Sequence, residues 1–152
     1  MILSHHHPAR YDRCIRLVVA SRPLHFCARC SGQALGFLAG LVLWGLALRT
    51  LFPLALPMFQ WPFALLPLPA TIDWTRQSLG NGESTNLRRL WTGAFFGLGG
   101  ADLLLLLVFR PWPYGAIGLG VLLTYIVAIV GVLSARGALR RIVDEHFPGI
   151  AT

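Results

Sequence analysis

The sequence predicts an all-α membrane protein in which four transmembrane helices follow an N-terminal cytoplasmic β-hairpin carrying a Cys-x-x-Cys pair. Three observations point there. Of 152 residues, 55% are hydrophobic and only 12% charged, and the mean hydropathy is +0.63, whereas a soluble domain carries about 25% charged residues. Four apolar stretches each approach the roughly 20 residues a spanning helix needs. The arginines sort to one side of those stretches.

The hairpin is the first element. In CIRLVVASRPLHFCARC, residues 14–30, apolar and polar residues alternate on both sides of Ser-Arg-Pro, the period-two signature of paired strands. With Ser21 and Arg22 at the turn, Val18 faces His25 and Arg16 faces Cys27. Ile15, Leu17, Val19, Leu24, Phe26 and Ala28 then share one face, and Cys14, Arg16, Val18, His25, Cys27 and Arg29 share the other. Cys14 falls diagonal to Cys27, about 7 to 8 Å away between Cα atoms.

The spans follow at about 33–52, 53–73, 90–109 and 114–135. The second is irregular, because Pro53, Pro57, Pro62, Pro67 and Pro69 fall in or beside it, and proline kinks or breaks a helix. A re-entrant segment is the alternative. Cytoplasmic loops accumulate basic residues, and this bias separates the two. Four spans place Arg10, Arg13, Arg16, Arg22, Arg29, Arg76, Arg88, Arg89, Arg136, Arg140 and Arg141 on one side and Arg49 and Arg110 on the other, eleven against two. A re-entrant second segment leaves six against seven.

Four spans with both termini cytoplasmic, in the plasma membrane, is therefore the expected topology. It divides the chain into a cytoplasmic His/Cys segment at 1–31, a transmembrane domain at 32–136 and a cytoplasmic tail at 137–152. The formal charge of +7 is spread over a terminus, a loop and a tail close to lipid, which argues against nucleic acid and for anionic membrane lipids as partners. Gly32, Gly36 and Gly40 in the first span and Gly93 and Gly97 in the third have the spacing that lets helix backbones approach closely.

Stable disulfides are rare on the cytoplasmic side, so the cysteines point to metal or to transient redox chemistry. A redox pair of the thioredoxin kind belongs to a βαβ setting that this chain lacks. Sulfur and nitrogen donors at this spacing suit zinc, with iron as the alternative. The expected ligands are Cys14, Cys27 and Cys30, completed by His25 or by His6 or His7 of the His5–His7 run. Burial of unliganded thiols is the plainer alternative.

The loop at 72–93, IDWTRQSLGNGESTNLRRLWTG, is the most polar stretch. Asp73 and Gln77, four apart, share a helix face. Gly80 and Gly82 permit a reversal, and Ser84, Thr85 or Asn86 can cap the next helix. Asn86, Arg89 and Thr92 make a polar stripe that must face protein or ligand rather than lipid. Asp73, Gln77, Glu83, Asn86 and Arg89 are the candidate catalytic set, with Ser84, Arg89 and Thr92 as substrate contacts. Carboxylates can exchange protons, and an arginine beside a helix N-terminus can hold phosphate. An internal ion-pair network is the competing reading.

Asp102 lies roughly 15 Å beyond Thr92 along the same helix, near the bilayer centre. Ion or proton passage would use it, and so would a hydrogen-bonded packing role.

CARCSG at 27–32, Asp73 with Gln77, and the pattern G..ES.N..R..TG from Gly80 to Gly93 resemble the small bacterial and archaeal membrane proteins catalogued as domain of unknown function 2085. The resemblance spans roughly residues 5–97. It implies an integral membrane protein whose polar signature gathers on one face. The family pattern has a Cys-His pair upstream of the hairpin, and this sequence departs from it, its His5–His7 run and Cys14 standing apart.

The leading expectation is a membrane metalloprotein whose cytoplasmic face joins the Cys/His site to the polar loop and acts on a phosphorylated or isoprenoid lipid. The alternatives are a structural or assembly subunit of a larger membrane complex or homo-oligomer with a zinc-stapled hairpin, and a small ion or proton transporter using Asp102.

Overall fold

The structure, a computed structural model, describes residues 12–19, 21–51, 64–80, 82–109 and 111–140. His6, His7, residues 53–63 of the expected second span and residues 141–152 of the tail lie outside this set.

Strand β1 (Cys14–Val19) pairs antiparallel with β2 (Arg22–Cys27). The residue after Cys27 already opens α1 (Ala28–Leu51), so strand passes into helix without a linker. Helices α2 (Leu68–Ser78), α3 (Asn86–Phe109) and α4 (Ala116–Ala135) follow. A kinked turn at Pro111–Gly115, with Trp112 extended, joins the last two.

The hairpin departs from the expected register. Cys14 pairs directly with Cys27 and Arg16 with His25, while Val18 faces Pro23. The reversal is centred one residue earlier than expected, and Ser21 takes a left-handed backbone conformation with φ 63°, as a tight two-residue hairpin turn demands. The shift in partner is two residues, so side-chain parity survives and the faces keep their expected members from Cys14 to Cys27, whereas Ala28 and Arg29, expected to continue the strand, open helix α1 instead.

Helices α1, α3 and α4 fall on the expected first, third and fourth spans. Among the described residues two segments, Asn86–Phe109 and Trp112–Ala135, are long and apolar enough to cross a membrane. Helix α4 leaves Leu123 61% and Val127 63% exposed, and a helix apolar on every side suits hydrocarbon rather than water. In the expected second span the described part differs. Helix α2 starts at Leu68 and runs to Ser78, past the expected end at 73. Pro67 and Pro69 sit at its beginning, where proline costs no helix hydrogen bond, so they start this helix instead of breaking it.

The glycines set the packing. A Cβ placed on Gly32 would lie 2.1 Å from the Leu90 carbonyl oxygen, and one on Gly36 would lie 2.0 Å from that of Ala94. From the other side, a Cβ on Gly93 would lie 2.4 Å from the Arg29 carbonyl oxygen, and one on Gly97 would lie 2.1 Å from that of Gln33. Contacts advance in the same direction along both helices, so α1 and α3 run parallel with their N-termini side by side. Helix α2 runs opposite to α3, since Pro67 packs at Gly99 while Asp73 reaches Arg88. The Tyr125 hydroxyl of α4 donates to the Ala64 carbonyl. One end of the bundle thus gathers the hairpin, the starts of α1 and α3 and the end of α2.

Candidate functional site at the polar end of the bundle

Asp73 is the centre of that end. It is 3% exposed on the buried face of α2. Its Oδ2 accepts from Arg29 Nη2 at 2.6 Å and from Gln77 Nε2 at 2.7 Å, while Arg88 Nε lies 3.1 Å from Oδ1. Gln77 can do this because four residues of helix return it to the Asp73 side. It also donates to the Asp73 backbone carbonyl at 3.0 Å. A carboxylate out of water needs this degree of compensation.

Arg89, 4% exposed, extends the network. It donates to Gln77 Oε1 at 3.2 Å, Glu83 Oε2 at 3.3 Å and Asn86 Oδ1 at 3.4 Å. Glu83 reaches the position because Gly80 and Gly82 adopt φ 81° and 98°, conformations that cost other residues dearly. Thr85 caps α3, its hydroxyl accepting from the Arg88 amide at 3.2 Å.

The hairpin is clasped to this loop. Asn86 Nδ2 donates to the backbone carbonyls of Asp12 at 2.7 Å and Cys14 at 3.3 Å. Arg13 Nη2 meets Glu83 Oε1 at 2.5 Å. The Arg13 hydrogen bond, with a smaller contribution from Arg89, holds the exposed Glu83 carboxyl below the usual carboxylate range. Two segments some seventy residues apart, the cysteine hairpin and the polar loop, therefore form one surface.

The three cysteines carry no disulfide. Cys14 and Cys27 are buried and cross-strand partners, and Cys30 stands in the first turn of α1. Partial burial, then a hydrogen bond with Cys27, pushes the Cys30 thiol up to about 11. His25 sits two residues from Cys27 on the same hairpin face, paired with Arg16. Among the described residues, no three His, Cys, Asp or Glu side chains are already arranged to hold a metal ion.

The expected set Asp73, Gln77, Glu83, Asn86 and Arg89 is thus brought together. Ser84 adjoins it, and among the described residues its buried hydroxyl oxygen and the buried Nε groups of Arg13 and Arg29 find no hydrogen-bond partner. Thr92, buried beneath, turns its hydroxyl to the Arg88 and Arg89 carbonyls of its own helix at 2.9 and 3.3 Å. Asp102, 2% exposed, belongs to another part of the molecule, about 24 Å along α3 from Asn86.

A family model described as "Predicted membrane protein (DUF2085)" matches residues 7–103. The chain belongs to the DUF2085 family. Its matched region contains the hairpin, α1, α2 and most of α3, and so every residue of the polar end, while α4 lies beyond it. No curated protein and no solved structure matches the chain. For this DUF2085 member the site must be read from its own geometry.

That geometry adds three residues outside the expected site set: Arg13, Arg29 and Arg88. In the sequence Arg13 and Arg88 stand only as markers of membrane side, and Arg29 also as a member of CARCSG and of a hairpin face. The signal that could have found them is stoichiometric, since buried Asp73 and its neighbour Glu83 needed cations, and Arg29 and Arg88 flank the motif residues Cys30 and Arg89.

Proposed function

We propose that the polar end binds the phosphorylated head group of a membrane lipid, on the cytoplasmic side, next to a zinc ion held by the hairpin thiols. The observation that carries this reading is the clasp of Asn86 and Glu83 on the hairpin, which puts the cysteines and the arginine-rich loop into one unit. Among the described residues, ion pairs join four guanidiniums, of Arg13, Arg29, Arg88 and Arg89, to two carboxylates. Such a surplus of fork-shaped donors favours a phosphate oxyanion. Asp73 already accepts from Arg29 and Gln77 and is ion-paired with Arg88, which favours binding over proton transfer as its role.

Zinc would be held by Cys14, Cys27 and Cys30 with His25 or a histidine of the His5–His7 run as the fourth ligand, iron being the less suited ion. Its chemistry there is to fix the hairpin on the start of α1 and to add positive charge beside the arginines. Because binding must displace the Cys30 proton, affinity rises with pH.

The four-span topology belongs to the same reading. Parallel α1 and α3 require the chain between them to return to the polar end, and α2 runs in the returning direction. The arginine distribution adds the cytoplasmic assignment.

Metal analysis of freshly reduced protein, with Cys27→Ser and Cys30→Ser alongside, tests the zinc site; about one zinc per chain in the wild type, lost in both variants, is expected. Absence of metal from the wild type removes that half. Lipid extracted from the same preparation tests the other half, which fails if phosphorylated lipids are not enriched over the host membrane.

A second reading has its own support. Both carboxylates are doubly paired with arginine, Asp73 tying α2 to α1 and α3 and Glu83 tying the loop to Arg13 beside the hairpin, as a lock in a structural or assembly subunit requires. It expects stable co-purification with a larger complex and no lipid enrichment.

A further inference from the structure

A shallow apolar groove lies along the α1–α3 seam, lined by Gln33, Ala34 and Phe37 on one helix and Phe96, Gly97 and Gly100 on the other. Helical spacing aligns it with the cationic end. Arg29, Gln33 and Phe37 succeed one another at four-residue steps on α1, and Arg89, Gly93, Gly97 and Gly100 descend one side of α3. The groove therefore starts one turn, about 6 Å, below Arg29. Gly97 forms its floor because it packs on the Gln33 backbone, while a Cβ on Gly100 would meet only the Phe37 ring, at an ordinary 3.7 Å.

We propose that this groove and the arginine cluster together seat one anionic, ester-linked glycerophospholipid, with its phosphate at Arg29 and the first part of an acyl chain between Phe37 and Phe96. The inference rests on the head-group reading above and specifies its ligand.

Three observations on different parts of the lipid converge. The four-to-two excess of guanidinium over carboxylate complements a negative head group. Among the described residues the Nε of Arg29 is buried without a hydrogen-bond partner although Nη2 holds Asp73, and a buried donor of this kind calls for an acceptor. Gln33 is the single polar side chain lining the groove, placed between the charge and the apolar part. That is the level of the ester carbonyls in a glycerophospholipid, which lie between phosphate and chains and accept hydrogen bonds. A polyprenyl phosphate has no carbonyl to offer the Gln33 amide.

Native mass spectrometry of the full-length protein in detergent, titrated with phosphatidylglycerol, phosphatidylcholine, polyprenyl phosphate and inorganic phosphate, tests this assignment. Phosphatidylglycerol is expected to bind at least tenfold more tightly than each of the others. Gly100→Leu, whose Cβ would meet only the Phe37 ring, puts a branched side chain into the groove and is expected to lower phosphatidylglycerol affinity about tenfold. Gln33→Leu is expected to weaken the ester lipid several-fold and leave a di-ether phosphatidylglycerol unchanged. Arg29→Gln combined with Asp73→Asn removes the pair as a unit and is expected to abolish the preference over phosphatidylcholine.

Equal affinity for phosphatidylglycerol and phosphatidylcholine overturns the proposal. So does wild-type affinity in Gly100→Leu, or polyprenyl phosphate binding at least as tightly as phosphatidylglycerol. Enrichment of phosphorylated lipid in the purified protein without an effect of the groove variants sinks this inference alone; no enrichment at all sinks the head-group reading with it.

Discussion

Gly36 of α1 and Ala94 of α3 meet backbone to backbone: a methyl group on Gly36 would lie 2.0 Å from the Ala94 carbonyl oxygen. Neither partner is a flexible side chain that can swing away, so the helices must separate to admit it. Gly36→Ala is expected to cost about 2 kcal/mol, read as a lower unfolding midpoint in detergent. Gly45, with nothing within 4 Å of a Cβ, provides the control: Gly45→Ala leaves the midpoint unchanged or raises it, because alanine favours helix.

Asp73 is nearly fully buried against Arg29 and Arg88. Asp73→Asn keeps its shape but strands the Arg29 charge, a change that costs about 3 kcal/mol in buried pairs. The double variant Arg29→Gln with Asp73→Asn is expected to recover a large part of that loss. Thermal unfolding of the two proteins side by side checks it; equal midpoints would mean the pair is not coupled.

The depressed Glu83 carboxyl makes the hairpin clasp pH-dependent. Its folded value lies below the unfolded 4.5, so its contribution is complete above that value and disappears as pH falls through the folded one. Hydrogen exchange of β1 amides, corrected for intrinsic rate, is expected to accelerate below pH 4.5 in the wild type. Glu83→Gln is expected to show the faster exchange already at neutral pH and no acid step.

Ser21 holds a left-handed φ of 63° that side chains other than glycine adopt at a cost. Ser21→Gly is expected to stabilise the hairpin by about 0.5 kcal/mol once the greater freedom of unfolded glycine is subtracted. Slower exchange of the β1 amides measures it. Ser21→Val, β-branched at the same φ, moves the rate the other way.

Much of this arrangement was legible in the sequence because it follows from periodicity. The four-residue spacing of Gly32, Gly36, Gly93 and Gly97 predicts the seam, the spacing of Asp73 and Gln77 puts them on one face, and strand alternation sorts the hairpin as far as Cys27, beyond which Ala28 and Arg29 are helical. The register was not legible, because parity alone permits shifts of two residues and only the Ser21 backbone selects among them. The helix at Leu68–Ser78 was obscured because Pro67 and Pro69 read equally as breakers and as first-turn residues. The partners of Asp73 were hidden for another reason. Arg29 is 44 residues away along the chain, and nothing local ties a guanidinium to a particular carboxylate across that distance.

Cys27 ends a strand and Ala28 begins a helix, so the joint between them has no slack. A hinge would let the hairpin lift while the bundle stood still; this joint does not. A tilt of the hairpin therefore acts on the 24-residue α1 as a whole, a rod about 36 Å long whose glycine face lies against the α3 backbone, and whatever occupies the polar end bears on that rod as torque.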